Sequence, residues 1–266
     1  MNNNIWHPKQ KPISSLASLS GGAGGMMYIS SASGSGTTGG DKSVYFDGND
    51  WLKADDSDLN IGTGAFTIEF WARFISSANN NSALNCIVET RSGGGSVSDG
   101  IMIARWNAYG GAHEHKMSVY MNGWLIEESG TTPINTWNHW AVVRNGTTLT
   151  IYKDGTSVAS GTGYNNNWTN TTWFLGVLQN QSTSSDPTNE LKGYLSNFRF
   201  TKAAVYTSNF TAPTSPLSEL SDTKLFCCAQ DSTSDSITEV VGDSVSITTS
   251  MSTTSSNPSV NSTSPF

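Results

Sequence analysis

The sequence predicts an all-β fold, built as a sandwich of two antiparallel sheets. Between residues 42 and 230, apolar and polar side chains alternate with a period of two in one segment after another, which is typical of strands with one buried face. Residue pairs that favour tight hairpin turns separate several of these segments. The pairs are Asn122-Gly123, Asn145-Gly146 and Asp154-Gly155. Closing this many strands into two packed sheets buries their apolar faces.

The clearest predicted strand is Phe66–Phe74, which alternates over its whole length. One face carries Phe66, Ile68, Phe70, Ala72 and Phe74, and the other carries Thr67, Glu69, Trp71 and Arg73. Successive side chains of a strand point to opposite sides of its sheet. The pattern therefore predicts a strand that is buried on one side only.

Two further strands are predicted at Trp137–Arg144 and Leu191–Thr201. On the latter, Tyr194, Phe198 and Phe200 are predicted to lie in phase on one face. Helix is expected only as a single turn, because no segment carries a sustained helical stripe of apolar residues. The candidate turns are Asp55–Leu59 and Ala203–Tyr206.

Two flanking segments differ in composition from the strand-rich middle and divide the chain into residues 1–41, 42–231 and 232–266. Gly-Gly pairs and Ser/Gly clusters make the first segment an irregular arm. That arm also carries large apolar side chains, which suit docking onto a partner; the alternative is a disordered leader. These residues are Ile5, Trp6, Met26, Met27 and Tyr28. The Ser/Thr-rich third segment is predicted to add one strand at Ser244–Thr248.

The chain is acidic and poor in charge, with 14 Lys and Arg against 21 Asp and Glu, a net charge of −7 and 13% charged residues. Without a basic excess to neutralise phosphates, nucleic-acid binding is not expected. Membrane insertion is not expected either, because the sequence lacks a run of about 18 apolar residues. Ser and Gly interrupt every apolar stretch near the N-terminus, so a secretory signal is not predicted.

The three cysteines leave at least one thiol without a partner, so a disulfide framework is not expected. Cys227 and Cys228 are adjacent, and they are interpreted as reduced thiols on a strand. A strained bridge between the two neighbours is the alternative. Reduced thiols agree with synthesis in a reducing cytoplasm.

Three segments of the middle region resemble a known family. Residues 43–74, SVYFDGNDWLKADDSDLNIGTGAFTIEFWARF, are similar to the opening of a concanavalin A-like lectin/glucanase sandwich of the laminin G type. Residues 136–162, TWNHWAVVRNGTTLTIYKDGTSVASGT, resemble its central hairpins, and residues 191–217, LKGYLSNFRFTKAAVYTSNFTAPTSPL, its closing strand. Residues 204–217 and the LFCCAQ of 225–230 are most similar to versions in virion proteins of tailed bacteriophages.

This resemblance implies a jelly roll of two curved antiparallel sheets, a fold on which members bind glycans or proteins, hold calcium at loop edges or serve structural roles. The expected function is a virion structural protein: a surface decoration, fibre, knob or tail-associated subunit that displays a lectin-like domain. The N-terminal arm would dock on other virion proteins, and a homo-oligomer at the virion surface is expected. The alternative is a lectin or adhesin module that recognises host-surface polysaccharide and has no structural role.

Aromatic residues in or near the predicted loops are candidates for sugar binding. A pyranose has an apolar face that stacks on an aromatic ring and a polar rim that amides and hydroxyls bind. The candidates are Trp106, Tyr109, Trp124 and Trp168, with Asn107 beside them. The alternative for each tryptophan is a place in the core, where most tryptophans of a sandwich lie.

Acidic clusters near the first strands are candidates for a calcium site, because hard cations take several oxygen ligands at once. They are Asp47 with Asp50, and Asp55 with Asp56. Turn and helix-capping roles are the alternative for these residues. His113 and His115 would share one side of an extended chain and are a further candidate for a surface metal.

The chain is not expected to be an enzyme. Glycoside hydrolysis needs two carboxylates that flank one bond, and the Glu-x-Asp-x-x-Glu spacing used by hydrolases on this type of sandwich does not occur. Glu69 has Arg73 four residues on and is interpreted as a solvent-side or paired residue. Glu127 and Glu128 are adjacent, so a strand would point them to opposite faces.

Overall fold

The computed structural model describes residues 40–75, 84–93, 98–107, 113–121, 123–178, 189–229, 246–251 and 258–266, with the backbone alone for 124 and 246–251. The strands within these ranges belong to one compact unit, Gly36–Phe266. The apolar residues of the predicted docking arm, Ile5, Trp6, Met26, Met27 and Tyr28, lie outside the described residues.

Eight of the described strands form the first sheet. They are β1 (Ser43–Asp47), β3 (Phe66–Phe74), β8 (Asn138–Asn145), β9 (Thr148–Lys153), β10 (Thr156–Gly161), β12 (Lys192–Thr201), β13 (Thr223–Cys227) and β15 (Ser259–Asn261). Their order across the sheet is β10-β9-β8-β3-β12-β1-β15, and β13 also pairs with β12.

The other seven described strands form the second sheet. They are β2 (Asp50–Asp55), β4 (Leu84–Glu89), β5 (Met102–Trp106), β6 (Met117–Met121), β7 (Trp124–Glu127), β11 (Thr172–Leu175) and β14 (Ser246–Met251). Their order is β14-β2-β11-β4-β5-β6-β7. Neighbouring strands in both sheets are antiparallel, which confirms the predicted all-β sandwich.

Helix is confined, among the described residues, to the 3-10 turn Ser57–Leu59. This turn lies within one of the two predicted positions, whereas residues 203–206 carry no helix. Two predicted hairpin loops have the expected length: Met121 pairs with Trp124, and Lys153 pairs with Thr156.

The third predicted turn is shifted by one residue. Asn145 pairs with Thr148 as the last residue of β8, so the loop is Gly146-Thr147 rather than Asn145-Gly146. Gly146 has a φ of 61°, which suits a glycine at the first position of a two-residue hairpin loop.

The core lies between the two sheets and is rich in aromatic side chains. The inward residues Phe66, Ile68, Phe70 and Phe74 of β3 are fully buried, as the alternation predicts. Contacts between the sheets include Trp173 of β11 and Phe200 of β12, whose ring centroids are 4.6 Å apart. Burying one such aromatic side chain contributes about 1.5–3 kcal/mol.

A β-bulge changes the phase of β12. Ser196 pairs with Trp71 and Arg199 with Glu69, so β12 has one extra residue between these pairs. Leu195, Phe198 and Phe200 therefore share the buried face. The prediction that Tyr194 lies in phase with the two phenylalanines is wrong: its ring lies under the Arg73 guanidinium on the outer face, 5.5 Å away. An extra residue in one strand reverses the alternation beyond it.

The segment after residue 231 contributes to both sheets. β14 overlaps the strand predicted at Ser244–Thr248 and pairs with β2, while β15 pairs with β1. Just before this segment, Cys227 and Cys228 are buried free thiols at the end of β13, with their Sγ atoms 3.7 Å apart.

The outer face of β3 is also buried, contrary to the prediction of one solvent-facing side. Thr67 and Glu69 have 0% exposure. Residues 203–210, here called the strap, cross this face: the Thr67 hydroxyl donates to the Ala203 carbonyl at 2.8 Å and accepts from the Val205 amide at 2.9 Å. The alternation of side chains along a strand indicates which residues share a face. It does not indicate which later segment of the chain covers that face.

The strap ends against the β9–β10 turn. The Phe210 amide donates to the Gly155 carbonyl at 2.9 Å. Gly155 has a φ of 81°, and a Cβ atom there would lie 2.0 Å from the Phe210 carbonyl oxygen. Only glycine allows the strap to approach the turn this closely.

Glu69 joins the first sheet to the strap. Its Oε1 accepts from Nε and Nη2 of Arg199 at 3.0 and 2.5 Å, and its Oε2 accepts from the Tyr206 hydroxyl at 2.8 Å. Nε2 of His139 lies 3.3 Å from the same Oε2. Burial raises the pKa of Glu69, but His139 and Arg199 outweigh it, so the pKa lies below its ordinary value. Glu69 is thus paired under the strap, not at the solvent surface.

Replacing Glu69 with Gln is expected to destabilise the fold by about 3–5 kcal/mol, because it leaves the buried Arg199 guanidinium without its counter-ion. The measurement is the free energy of unfolding in guanidinium chloride. Glu114→Gln is the matched control, since Glu114 is a surface residue whose ion-pair partner is His115. Equal unfolding midpoints for the two variants would contradict the role given to Glu69.

Candidate carbohydrate-binding surface

Trp106 lies at the end of β5, on the outer face of the second sheet, and is partly exposed. It pairs across the strands with Leu84 of β4. Its indole Nε1 donates to the Ser118 hydroxyl on β6 at 2.6 Å. This hydrogen bond fixes the orientation of the ring from the neighbouring strand.

A group of charged and polar side chains lies on one side of this ring, beginning with His113. The His113 ring centroid lies 5.7 Å from that of Trp106. His113 Nδ1 is 2.6 Å from Oε2 of Glu127, and the Lys116 ammonium donates to Oε1 at 3.1 Å. We call Trp106, His113, Lys116, Ser118 and Glu127 the Trp106 surface.

Glu127 remains ionised at neutral pH. Burial raises its pKa, but the hydrogen bonds from His113 and Lys116 outweigh burial and hold the pKa below its ordinary value. Its carboxylate therefore accepts hydrogen bonds, while the Lys116 ammonium compensates its charge. Its neighbour Glu128 points inward, where it accepts from the Met117 amide at 2.9 Å. The two adjacent carboxylates thus face opposite sides, as predicted.

A second aromatic residue extends the same face. Tyr120 of β6 and Trp106 both pack against one small apolar cluster, formed by Leu84, Cys86, Met102 and Ala104. The Arg91 guanidinium lies 5.0 Å from the centroid of the Tyr120 ring and donates to Glu89 at 2.8 and 2.6 Å. The outer face of the second sheet therefore carries two partly exposed rings, each beside an ion pair.

Trp168 does not lie at the surface, which corrects the expectation that it forms a sugar platform. Its side chain is 1% exposed. The Arg144 guanidinium lies 4.4 Å from its ring centroid, and the Phe66 ring centroid lies 5.8 Å away. A buried indole cannot stack on a sugar. Trp168 is therefore a core tryptophan, which was the alternative to a sugar platform.

Asn107 is buried as well, although it follows Trp106 directly. Its Oδ1 accepts from Asn85 Nδ2 at 2.5 Å and from Arg105 Nη1 at 2.8 Å. Arg105 also donates through Nε to the Thr132 carbonyl at 3.0 Å. Asn107 therefore orders the interior and is not available to a ligand. Tyr109 and the side chain of Trp124 lie outside the described residues.

The acidic candidates for calcium have local partners instead of a common ion. Asp47 Oδ1 accepts from the Asn49 amide at 2.9 Å, and Asp56 caps the 3-10 turn by accepting from the Asp58 amide at 2.7 Å. The Asp55 carboxylate lies 3.3 Å from the Lys53 ammonium. These are the turn and capping roles that Asp favours in loops.

The two candidate histidines also have separate partners: His113 faces Glu127, while His115 Nδ1 lies 3.2 Å from Arg105 Nη2. Within the part of the chain that the structure describes, no three His, Cys, Asp or Glu side chains are grouped to hold an ion. The described residues therefore do not fit the calcium site that the resemblance implies.

Asp50 is the exception among these aspartates, because its side chain is 1% exposed at the start of β2. Its Oδ2 accepts from the Asp47 amide at 3.2 Å. Burial, reinforced by the neighbouring Asp47 charge, raises the pKa of Asp50 to about 7. Asp50 is therefore a buried acid that holds its proton until near neutral pH.

The fold and this surface together define a lectin-like β-sandwich domain. Residues 46–208 match the sequence profile of a laminin G-type family described as the concanavalin A-like lectin/glucanases superfamily. The chain belongs to this family. No curated protein matches its sequence. Among the residues that the structure describes, no helix has the length and apolar character needed to cross a membrane.

Several solved structures are similar. A candidate carbohydrate-binding protein from Bacteroides ovatus is 16% identical, with a TM-score of 0.54 over 80% of this chain and 60% of that one. The chain thus spans less than two thirds of that relative. A heptameric SAP-like pentraxin from Limulus polyphemus has 13% identity and a TM-score of 0.48 over 80% of this chain and 96% of that one.

Replacing Asp50 with Asn is expected to change how stability depends on pH. Between the ordinary pKa of 3.8 and the folded value of about 7, the folded chain binds this proton more tightly than the unfolded chain does. The wild-type free energy of unfolding therefore loses this contribution as pH rises through that window. Asp50→Asn should gain stability relative to wild type as pH rises from about 4 to 7, by up to about 1.4 kcal/mol for each unit of pKa shift.

The measurement is the denaturation midpoint at several pH values across the window. Asp55→Asn, at an exposed position on the same strand, is the control and should follow the wild type. A constant difference between Asp50→Asn and wild type at every pH would show that the carboxyl of Asp50 titrates in the ordinary range.

Proposed function

We propose that the chain is a non-catalytic carbohydrate-binding protein whose ligand lies on the Trp106 surface. The observation that carries the proposal is the partly exposed indole of Trp106, held by Ser118 and flanked by His113, whose partner Glu127 also binds Lys116. Membership of a lectin-like family supports it. So does the similar fold of the candidate carbohydrate-binding protein from Bacteroides ovatus.

The chemistry of the surface matches that of a sugar. The indole stacks on the apolar face of a pyranose ring. Lys116 and His113 donate hydrogen bonds to the hydroxyls of the rim, and the ionised Glu127 accepts them. Because Glu127 and the Lys116 ammonium compensate one another, we propose a neutral, hydroxyl-rich polysaccharide of a cell surface as the ligand.

Binding without cleavage follows from the position of the carboxylates. Glu69 has 0% exposure and is bound by Arg199 and Tyr206. Glu127 and Glu128 face opposite sides of their strand, so they do not flank a common bond. A glycosidase requires two carboxyl groups on either side of the scissile bond.

Replacing Trp106 with Ala is expected to weaken glycan binding about tenfold or more, the change that corresponds to a loss of about 1.4 kcal/mol. The measurement is binding of the full chain to an array of plant, algal and bacterial polysaccharides, with and without calcium. The control is Trp137→Ala, which removes a partly exposed tryptophan on the first sheet, where its ring centroid lies 6.1 Å from that of Tyr194.

An array without a single binder would contradict the proposal, as would equal binding by the two tryptophan variants. Release of reducing sugar from any of these polysaccharides would contradict the absence of catalysis.

We further propose that the domain is displayed on a bacteriophage particle, with residues 1–41 docked on other virion proteins. Two features of the sequence support this: the similarity of residues 204–217 to virion proteins, and the large apolar residues within a Gly/Ser-rich arm. Residues 203–210 form the strap, so the part of the sequence that carries the similarity is an integral layer of the domain.

Particles purified from the phage that encodes this chain should contain it, as detected by mass spectrometry. Deletion of residues 1–39 should release the chain from the particles, while the surface variant Glu114→Gln should not. Absence of the intact chain from purified particles would contradict the virion proposal without affecting the glycan-binding one.

A further inference from the structure

A cleft of about 230 Å³ opens on the outer face of the first sheet, away from the Trp106 surface. Outward-facing residues of β8 and β9 form one part of its lining, and Tyr206 and Thr207 of the strap form the other. The β8–β9 register places Val143 opposite Thr150 and Asn145 opposite Thr148, so these four side chains share one face.

The floor and one wall of this cleft are formed by packed side chains. Val143 and Tyr152 are 2% and 4% exposed, and they pack under the strap. The Tyr206 ring stacks on Phe210, with centroids 3.6 Å apart and planes 6° apart. Its hydroxyl is bound to Glu69 at 2.8 Å, on the side away from solvent. Burial and the Glu69 carboxylate raise the pKa of Tyr206, so the hydroxyl stays a donor.

The rim of the cleft is polar but uncharged. It carries the hydroxyls of Thr148, Thr150 and Thr207 and the amide of Asn145. Thr150 Oγ1 lies 2.9 Å from Ser160 Oγ on β10, which places a further hydroxyl beside the rim. Among the described residues that line the cleft there is no Lys, Arg, His, Asp or Glu. A charged ligand would find no counter-ion here.

We infer that this cleft is a second sugar-binding site, which holds a single neutral pyranose by its hydroxyls beside the partly exposed Tyr206 ring. The partly exposed Tyr206 ring beside a rim of hydroxyls and one amide matches a ligand with several neutral polar groups and a small apolar face. The volume is below the ~300–1,000 Å³ of sites for drug-sized ligands, which suits one ring of a longer chain. The site is separate from the Trp106 surface, so two distant parts of one polysaccharide, or two polysaccharide chains, could be held at once.

The test is saturation-transfer NMR with the full chain and a panel of neutral monosaccharides: glucose, galactose, mannose and N-acetylglucosamine. Thr207→Trp fills the cleft from its exposed rim and should abolish the saturation transfer. Thr211→Trp is the matched control, because Thr211 is exposed on the following stretch and does not line the cleft. Thr150→Val removes one rim hydroxyl at nearly constant size and should reduce the transfer severalfold.

Trp106→Ala separates this site from the Trp106 surface. Transfer that persists in Trp106→Ala and is lost in Thr207→Trp supports the second site, whether or not the Trp106 surface binds glycans. Transfer that persists in Thr207→Trp overturns it, and so does the absence of transfer from every sugar in wild type. Loss in Trp106→Ala alone would assign the signal to the Trp106 surface and also overturn the second site.

Discussion

The carboxylate of Glu69 is bound on the outer face of the first sheet by groups from three separate parts of the chain. Arg199 comes from β12, Tyr206 from the strap, and His139 from β8. A buried charge is tolerated only when it is paired and hydrogen-bonded, so this arrangement holds the strap against β3 and β8. The strap in turn buries Ala141, Val143 and Tyr152, which lie on the side of the sheet that faces away from the core. The cleft beside Tyr206 exists because this layer is held in place.

The two sheets consequently use their outer faces in different ways. The strap covers part of the outer face of the first sheet. The proposed second site is the cleft at the edge of the strap. The second sheet carries Trp106 and Tyr120 on its outer face, each packed on a small apolar cluster and each beside an ion pair. On both faces the groups proposed to contact sugar project from strands or are held by them. Such positions keep their geometry without a ligand, and this reduces the entropy lost on binding.

Much of the fold was predictable because local rules were sufficient. The alternation of Phe66–Phe74 and the Asp154-Gly155 turn follow from side-chain periodicity and backbone conformation, which neighbouring residues determine. The sequence places Tyr194 on the wrong face, because a bulge between Ser196 and Arg199 leaves no mark in the periodicity.

The candidate site was predictable only in part. Trp106 was found as an aromatic residue beside a loop, but His113, Lys116 and Glu127 join it only through the pairing of β5, β6 and β7.

The sequence by itself determined that this chain is an antiparallel β-sandwich of the laminin G type, that it is acidic but poor in charged residues, and that it offers aromatic residues for sugar binding. Tertiary structure alone decided which aromatic residues lie at the surface. Trp168 and Trp106 both stand near polar loop residues in the sequence, yet Trp168 is closed off by Arg144 and Phe66, whereas Trp106 stays on an outer face. The reason is that the exposure of a residue depends on which distant segments of the chain pack over it. The strap and Arg199, for example, lie more than 100 positions along the chain from β3, which they cover.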